Sequence, residues 1–107
     1  MAAISITKEQ FEQSKALDTP VLVDFWAPWC GYCRRIEAAY DRVAEEYRDQ
    51  LQVVKINVDE EPALTEAERI ELIPTLVIYR GGQAIGSVVA PDSKTAIDRF
   101  IRDTLQR

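Results

Sequence analysis

The sequence predicts an α/β domain, a central mixed sheet of five strands with helices on both faces. Two observations set the class. Apolar runs of strand length at 21–26 and 52–58 alternate with stretches of helical period, the pattern of parallel strands joined by crossover helices. The last two strand candidates are instead joined by Gly81-Gly82, a tight-turn signal that makes them an antiparallel hairpin. A third observation sets the size: 107 residues is the length of one domain, so residues 1–107 form a single unit. A chain of that length buries roughly 65% of its unfolded surface, enough for a core without staples.

The elements follow in order. Residues 3–6 are a short strand candidate. Thr7 and Gln10 fit a capping box that opens a helix running to about Ala16. After Pro20, residues 21–26 read Val-Leu-Val-Asp-Phe-Trp, a buried strand apolar on both faces except for Asp24. Ile36, Ala39, Tyr40, Val43, Ala44 and Tyr47 then form one continuous apolar stripe at helical spacing. Residues 52–58 are the next strand, and Pro62 suits the first turn of a short helix to about Glu68. Residues 75–79 and 83–89 form the hairpin. Asp92 or Ser93 caps a final helix with its core stripe at Ile97, Phe100, Ile101 and Leu105.

Composition excludes several functions. A hydrophobic fraction of 47% excludes disorder, and no apolar run is long enough to span a bilayer, so no membrane partner is expected. A net charge of -5 argues against nucleic acid. There is no histidine, which removes the commonest general base and metal ligand. Only Cys30 and Cys33 carry thiols, so one chain cannot build a four-ligand zinc site, and no metal is expected. The N-terminal residues lack a charged region followed by an apolar one, so a cytoplasmic protein is expected. Six acids between Asp59 and Glu71 read as a solvated helix face, with a docking surface for a basic partner as the other reading.

The segment that carries chemistry is Trp26-Ala27-Pro28-Trp29-Cys30-Gly31-Tyr32-Cys33-Arg34-Arg35. It joins a buried strand to a helix, at the carboxyl edge where open α/β sheets place their sites. Two residues between cysteines at a helix start let the sulfurs meet. Free N–H groups and the positive helix end there favour a thiolate, the attacking species in disulfide exchange. A stable structural disulfide and two buried inert thiols are the alternatives. Asp24 is the second anomaly. Alternation puts it on one face with Trp26, and burial there raises a carboxyl's pKa. Lys55, flanked by Val54 and Ile56, is a candidate partner; an edge-facing Asp24 and a solvated Lys55 are the plain alternative. Arg34 and Arg35 read as solvated helix residues or as a modest aid to the thiolate. Tyr32 reads as an exposed ring or, beside Cys30, as a substrate contact.

The run from Val21 to Cys33 resembles the active-site signature of the thioredoxin family. Lys55-Ile56-Asn57-Val58-Asp59, Ile73-Pro74-Thr75 and the Gly81-Gly82 hairpin fall where that family has matching segments, so the resemblance spans essentially the whole chain. It implies the thioredoxin fold, a central mixed five-stranded sheet flanked by four helices. It implies a protein-disulfide reductase in which Cys30 attacks and Cys33 resolves, with Asp24 and Lys55 managing the proton of Cys33. It also implies a cis bond at Ile73-Pro74 and a docking surface of Trp29, Gly31, Tyr32, Ile73, Pro74 and Ala90. It implies no bound cofactor, and a redox-active disulfide Cys30–Cys33 that draws its electrons from NADPH through thioredoxin reductase, a flavin enzyme. The expected partners are that reductase and disulfide-containing client proteins, met by a monomer.

Four departures from the family pattern bear on substrate preference and potential. Tyr32 stands where a proline is usual between the cysteines. Ala38 replaces a mid-helix proline, which predicts a straighter long helix. Ala90 followed by Pro91 replaces a glycine. Arg69-Ile70-Glu71-Leu72 replaces Gly-Ile-Arg-Gly. Three rival readings follow. A Cys-x-Tyr-Cys motif is common in glutaredoxin-like enzymes that use glutathione, although Trp29 and Ile73-Pro74-Thr75 do not fit them. Paired thiols from two chains suit a non-catalytic iron–sulfur or zinc dimer. A structural subunit could use the fold as a docking platform.

Overall fold

The computed structural model describes residues 2–106. The strands are β1 (Ile4–Ser5), β2 (Val21–Trp26), β3 (Gln52–Asn57), β4 (Thr75–Arg80) and β5 (Gln83–Val89). The helices are α1 (Lys8–Lys15), α2 (Gly31–Arg35), α3 (Glu37–Glu46), α4 (Pro62–Ala67) and α5 (Lys94–Leu105). The sheet order is β1-β3-β2-β4-β5, with β1, β3 and β2 parallel and the β4–β5 hairpin antiparallel.

The capping box forms as the sequence predicts. Gln10 N–H donates to Thr7 Oγ1 at 3.2 Å and Thr7 N–H to Gln10 Oε1 at 2.8 Å. Ser93, not Asp92, caps α5, its hydroxyl accepting the Ala96 N–H at 3.1 Å.

β2 lies between β3 and β4 with both faces covered, which is why its sequence is apolar on both faces but for Asp24. Val21, Val23 and Phe25 pack with Phe11 of α1 and Leu64 of α4 on one face. Leu22 packs on the other with Tyr40 and Val43 of α3 and Ile97 and Ile101 of α5. Asp24, two residues from Leu22, therefore points to the α3 side. On α5, Thr104 is buried, whereas Phe100 and Leu105 are only half-buried.

One expectation fails. The single, straighter long helix is broken at Ile36 (φ -91°, ψ 0°), so five helices flank the sheet, not four. Apolar periodicity reports which side chains face the core, and that pattern runs through the break: Cys33, Ile36, Tyr40 and Val43 are all buried. Loss of a proline removed one cause of a break, yet α2 still ends at Arg35 and α3 begins at Glu37, with the Ile36 N–H between them keeping the ordinary helical bond to Tyr32 O at 3.3 Å.

Candidate active site

Cys30 is the residue that starts α2. It keeps extended backbone angles, and its sulfur accepts the Cys33 N–H at 3.1 Å. A helix opening supplies free N–H groups, and here a sulfur takes one, the contact that favours negative charge on it. The two cysteines are joined as a disulfide with Cα atoms 5.3 Å apart. Cys33 is the deeper of the two, at 3% exposure against 8% for Cys30. Ala27 completes this small cluster, with Trp26, Tyr32, Val58 and Ile73 packed around it.

The other predicted site residues come to the same end of the sheet. Ile73-Pro74 is a cis bond, and Cys30 Sγ lies 4.0 Å from Ile73 O. Ala90 N–H donates to Pro74 O at 2.8 Å. Ala90 O in turn accepts the Tyr32 hydroxyl at 3.1 Å. Tyr32 is thus neither a free ring nor isolated: its hydroxyl ties the cysteine loop to the loop after β5, and Arg35 lies 5.4 Å from its ring centre. Ala90 holds φ +48°, a left-handed value that costs an L residue about 1–2 kcal/mol and explains a glycine at such a position. Gly31 is exposed, with nothing near an added Cβ. Among the described residues Trp29 is the most exposed large hydrophobic side chain at 67%, and its indole N–H donates to Asp59 at 2.8 Å.

Asp24 is buried at 2% exposure, which excludes the edge-facing reading. Its Oδ1 has no hydrogen-bond partner. Burial pushes its pKa up from 3.8 to about 7, opposed by the nearby Lys55 charge and reinforced by Glu37. The partnership with Lys55 is looser than the sequence suggests. The two are register partners across β2 and β3. Yet the Lys55 ammonium pairs with Glu37 Oε1 at 3.9 Å and sits 4.4 Å from the Trp26 ring centre. Among the described residues no ion pair joins it to Asp24. The reason is geometric: an ammonium on a four-carbon stem reaches several anions, and a half-solvated carboxylate competes well with a buried one that is costly to ionise.

Sequence reasoning missed Glu37 and Asp59. Both sit in charged stretches that look like solvated faces, and only the topology brings them to Lys55 and Trp29.

The chain matches the thioredoxin family model over residues 2–103. It belongs to the thioredoxin family. It is 42% identical over 105 residues to thioredoxin 1 of Nostoc sp., covering 97% of this chain and 98% of that protein. It is 38% identical over 105 residues to the thioredoxin of Alicyclobacillus acidocaldarius, covering 98% of this chain and 100% of that one. Among solved structures, the thioredoxin of Malassezia sympodialis superposes with a TM-score of 0.87 at 28% identity, over 97% of this chain and 95% of that one. This member of the family is a thiol-disulfide oxidoreductase, a protein-disulfide reductase that works by dithiol–disulfide exchange through Cys30 and Cys33. The family match sets aside the glutaredoxin-like reading. No helix among the described residues is long and apolar enough to cross a membrane.

Proposed function

We propose that the two sulfurs divide the work. The Cys30 thiolate attacks a client disulfide, forming a Cys30–client bond and releasing one client thiolate. Cys33 passes its proton to Asp24 and attacks Cys30 Sγ, closing the Cys30–Cys33 disulfide and releasing the second client thiolate. Two electrons have then passed to the client. The observation that carries this reading is the unequal setting of the pair: Cys30 is the outer sulfur at the helix opening with the Cys33 N–H on it, and Cys33 lies beneath.

Asp24 suits the acceptor role because a base near neutral pH matches a thiol best, and burial brings its pKa to about 7. Lys55 moderates that rise. Trp29, Gly31, Tyr32, Ile73 and Ala90 form the docking surface with Pro74 buried beneath it, and the exposed Leu72 and Val89 beside them in the chain extend its apolar character. One domain of residues 1–107 does this as a monomer in the cytoplasm, where a cycling cysteine pair is the common use of two thiols. Electrons come from NADPH through a flavin-containing thioredoxin reductase.

Insulin reduction, followed as turbidity, tests the circuit. NADPH with a bacterial thioredoxin reductase is expected to sustain many turnovers, and NADPH with glutathione and glutathione reductase few. Turnover with glutathione alone would overturn the reductase assignment.

A further inference from the structure

We propose that Glu37, the first residue of α3, is a positioning residue that holds the Lys55 ammonium away from Asp24 and so keeps Asp24 a proton acceptor. The inference rests on the proposed role of Asp24 toward Cys33. Asp24 and Lys55 face each other across neighbouring parallel strands, a separation that a lysine side chain spans easily. A direct ion pair would be the expected result. It would favour the carboxylate and make Asp24 a weak base. The structure gives the ammonium two other partners, Glu37 at 3.9 Å and the Trp26 ring at 4.4 Å. Asp24 Oδ1 stays without a partner.

The titratable groups around Asp24 come from three elements. Lys55 is on β3, Glu37 and Tyr40 are on α3, and Cys33 is on α2, in the cluster that Trp26 joins from Asp24's own face. On the other flank β4 presents Leu76 as register partner, which brings no charge. Tyr40 donates its hydroxyl toward backbone carbonyls, Val54 O at 2.6 Å and Leu22 O at 3.2 Å, and burial holds its own pKa well above the usual range. Lys55 is therefore the cation that acts on Asp24, and Glu37 sets where it stands. Glu37 acts in the same direction by its own charge, since an added anion disfavours ionisation of Asp24.

The Glu37 side chain is 51% exposed, so its effect is moderate. An exposed pair of this kind changes a proton affinity by about threefold, roughly half a pH unit. The test is carboxyl-carbon NMR of Asp24 in the full-length reduced protein from pH 4 to 9, in the wild type and Glu37→Gln. The Asp24 midpoint is expected to fall by about half a pH unit. In a Lys55→Met background the same substitution should move it less than half as far. An unchanged or raised midpoint in Glu37→Gln overturns the inference. A full-sized shift without Lys55 overturns the positioning part, leaving only direct repulsion. The resolution rate of the Cys30–client bond in Asp24→Asn separates the two readings. If its pH profile equals that of the wild type, Asp24 is not the acceptor, while the NMR midpoints still report whether Glu37 places Lys55.

Discussion

Asp24→Asn replaces a buried carboxyl whose Oδ1 has no hydrogen-bond partner by a neutral group of nearly the same shape, and its effect on stability depends on pH. In the unfolded chain the carboxyl loses its proton near the ordinary 3.8, whereas in the fold it holds on until about pH 7. Between those values the folded protein binds more protons than the unfolded one, so stability falls as pH rises and levels off above 7. The gap is about three pH units at 1.36 kcal/mol each, a destabilisation of about 4 kcal/mol at pH 8. The amide removes that charge but leaves polar atoms in a place with few partners, which costs about 1–3 kcal/mol. The variant is therefore expected to be more stable than the wild type by about 1–3 kcal/mol at pH 8. In urea that is a midpoint shift of about 1–2 M for a small domain. At pH 4 the carboxyl is neutral in the fold and only about half ionised in the unfolded chain, so the pH-dependent cost is under about 1 kcal/mol and the advantage should vanish or reverse. Urea unfolding of both oxidised proteins at pH 8 and pH 4 measures this, because every other group titrates alike in the pair. A difference that is the same at both pH values would refute the reasoning and make Asp24 an ordinary hydrogen-bonding residue.

Two further variants test the surroundings of the pair. Tyr32→Phe removes only the hydroxyl that reaches Ala90 O, so urea unfolding should show a loss of about 1 kcal/mol; no loss would mean the tie contributes nothing. Gly86→Ala places a Cβ 2.8 Å from Thr104 Oγ1 and 2.9 Å from Thr104 Cγ2, so the Thr104 side chain or α5 must shift. Thermal unfolding should show about 1–3 kcal/mol of destabilisation, and wild-type stability would show that the Thr104 contact gives way freely.

Much of the fold was legible because its signals are local. The run from Val21 to Trp26 matched its strand at both ends, since burial on two faces leaves a run that is apolar save for Asp24. Thr7 with Gln10, and Gly81-Gly82 with both φ values positive, are short motifs whose chemistry dictates their geometry. The break at Ile36 was not legible, because side-chain periodicity continues across it. The cysteines, and the placing of Ile73, Pro74 and Ala90 beside them, could be read through the family resemblance. The charge arrangement behind them could not. Lys55 had a plausible partner in sequence, and its real one, Glu37, is a helix residue among other charges, meeting it only once α3 packs on β3. Tyr32 meets Ala90 only because the sheet brings residues 58 positions apart to one edge.

The division of labour between the two sulfurs is most directly tested by trapping. Reduced Cys33→Ser protein is mixed with a disulfide-containing client, quenched with acid and examined by peptide mass spectrometry. The account predicts a stable Cys30–client disulfide that accumulates to one client per chain, and no trapped client with Cys30→Ser. Capture through Cys33 in the Cys30→Ser protein, or continued turnover of Cys33→Ser, would contradict it.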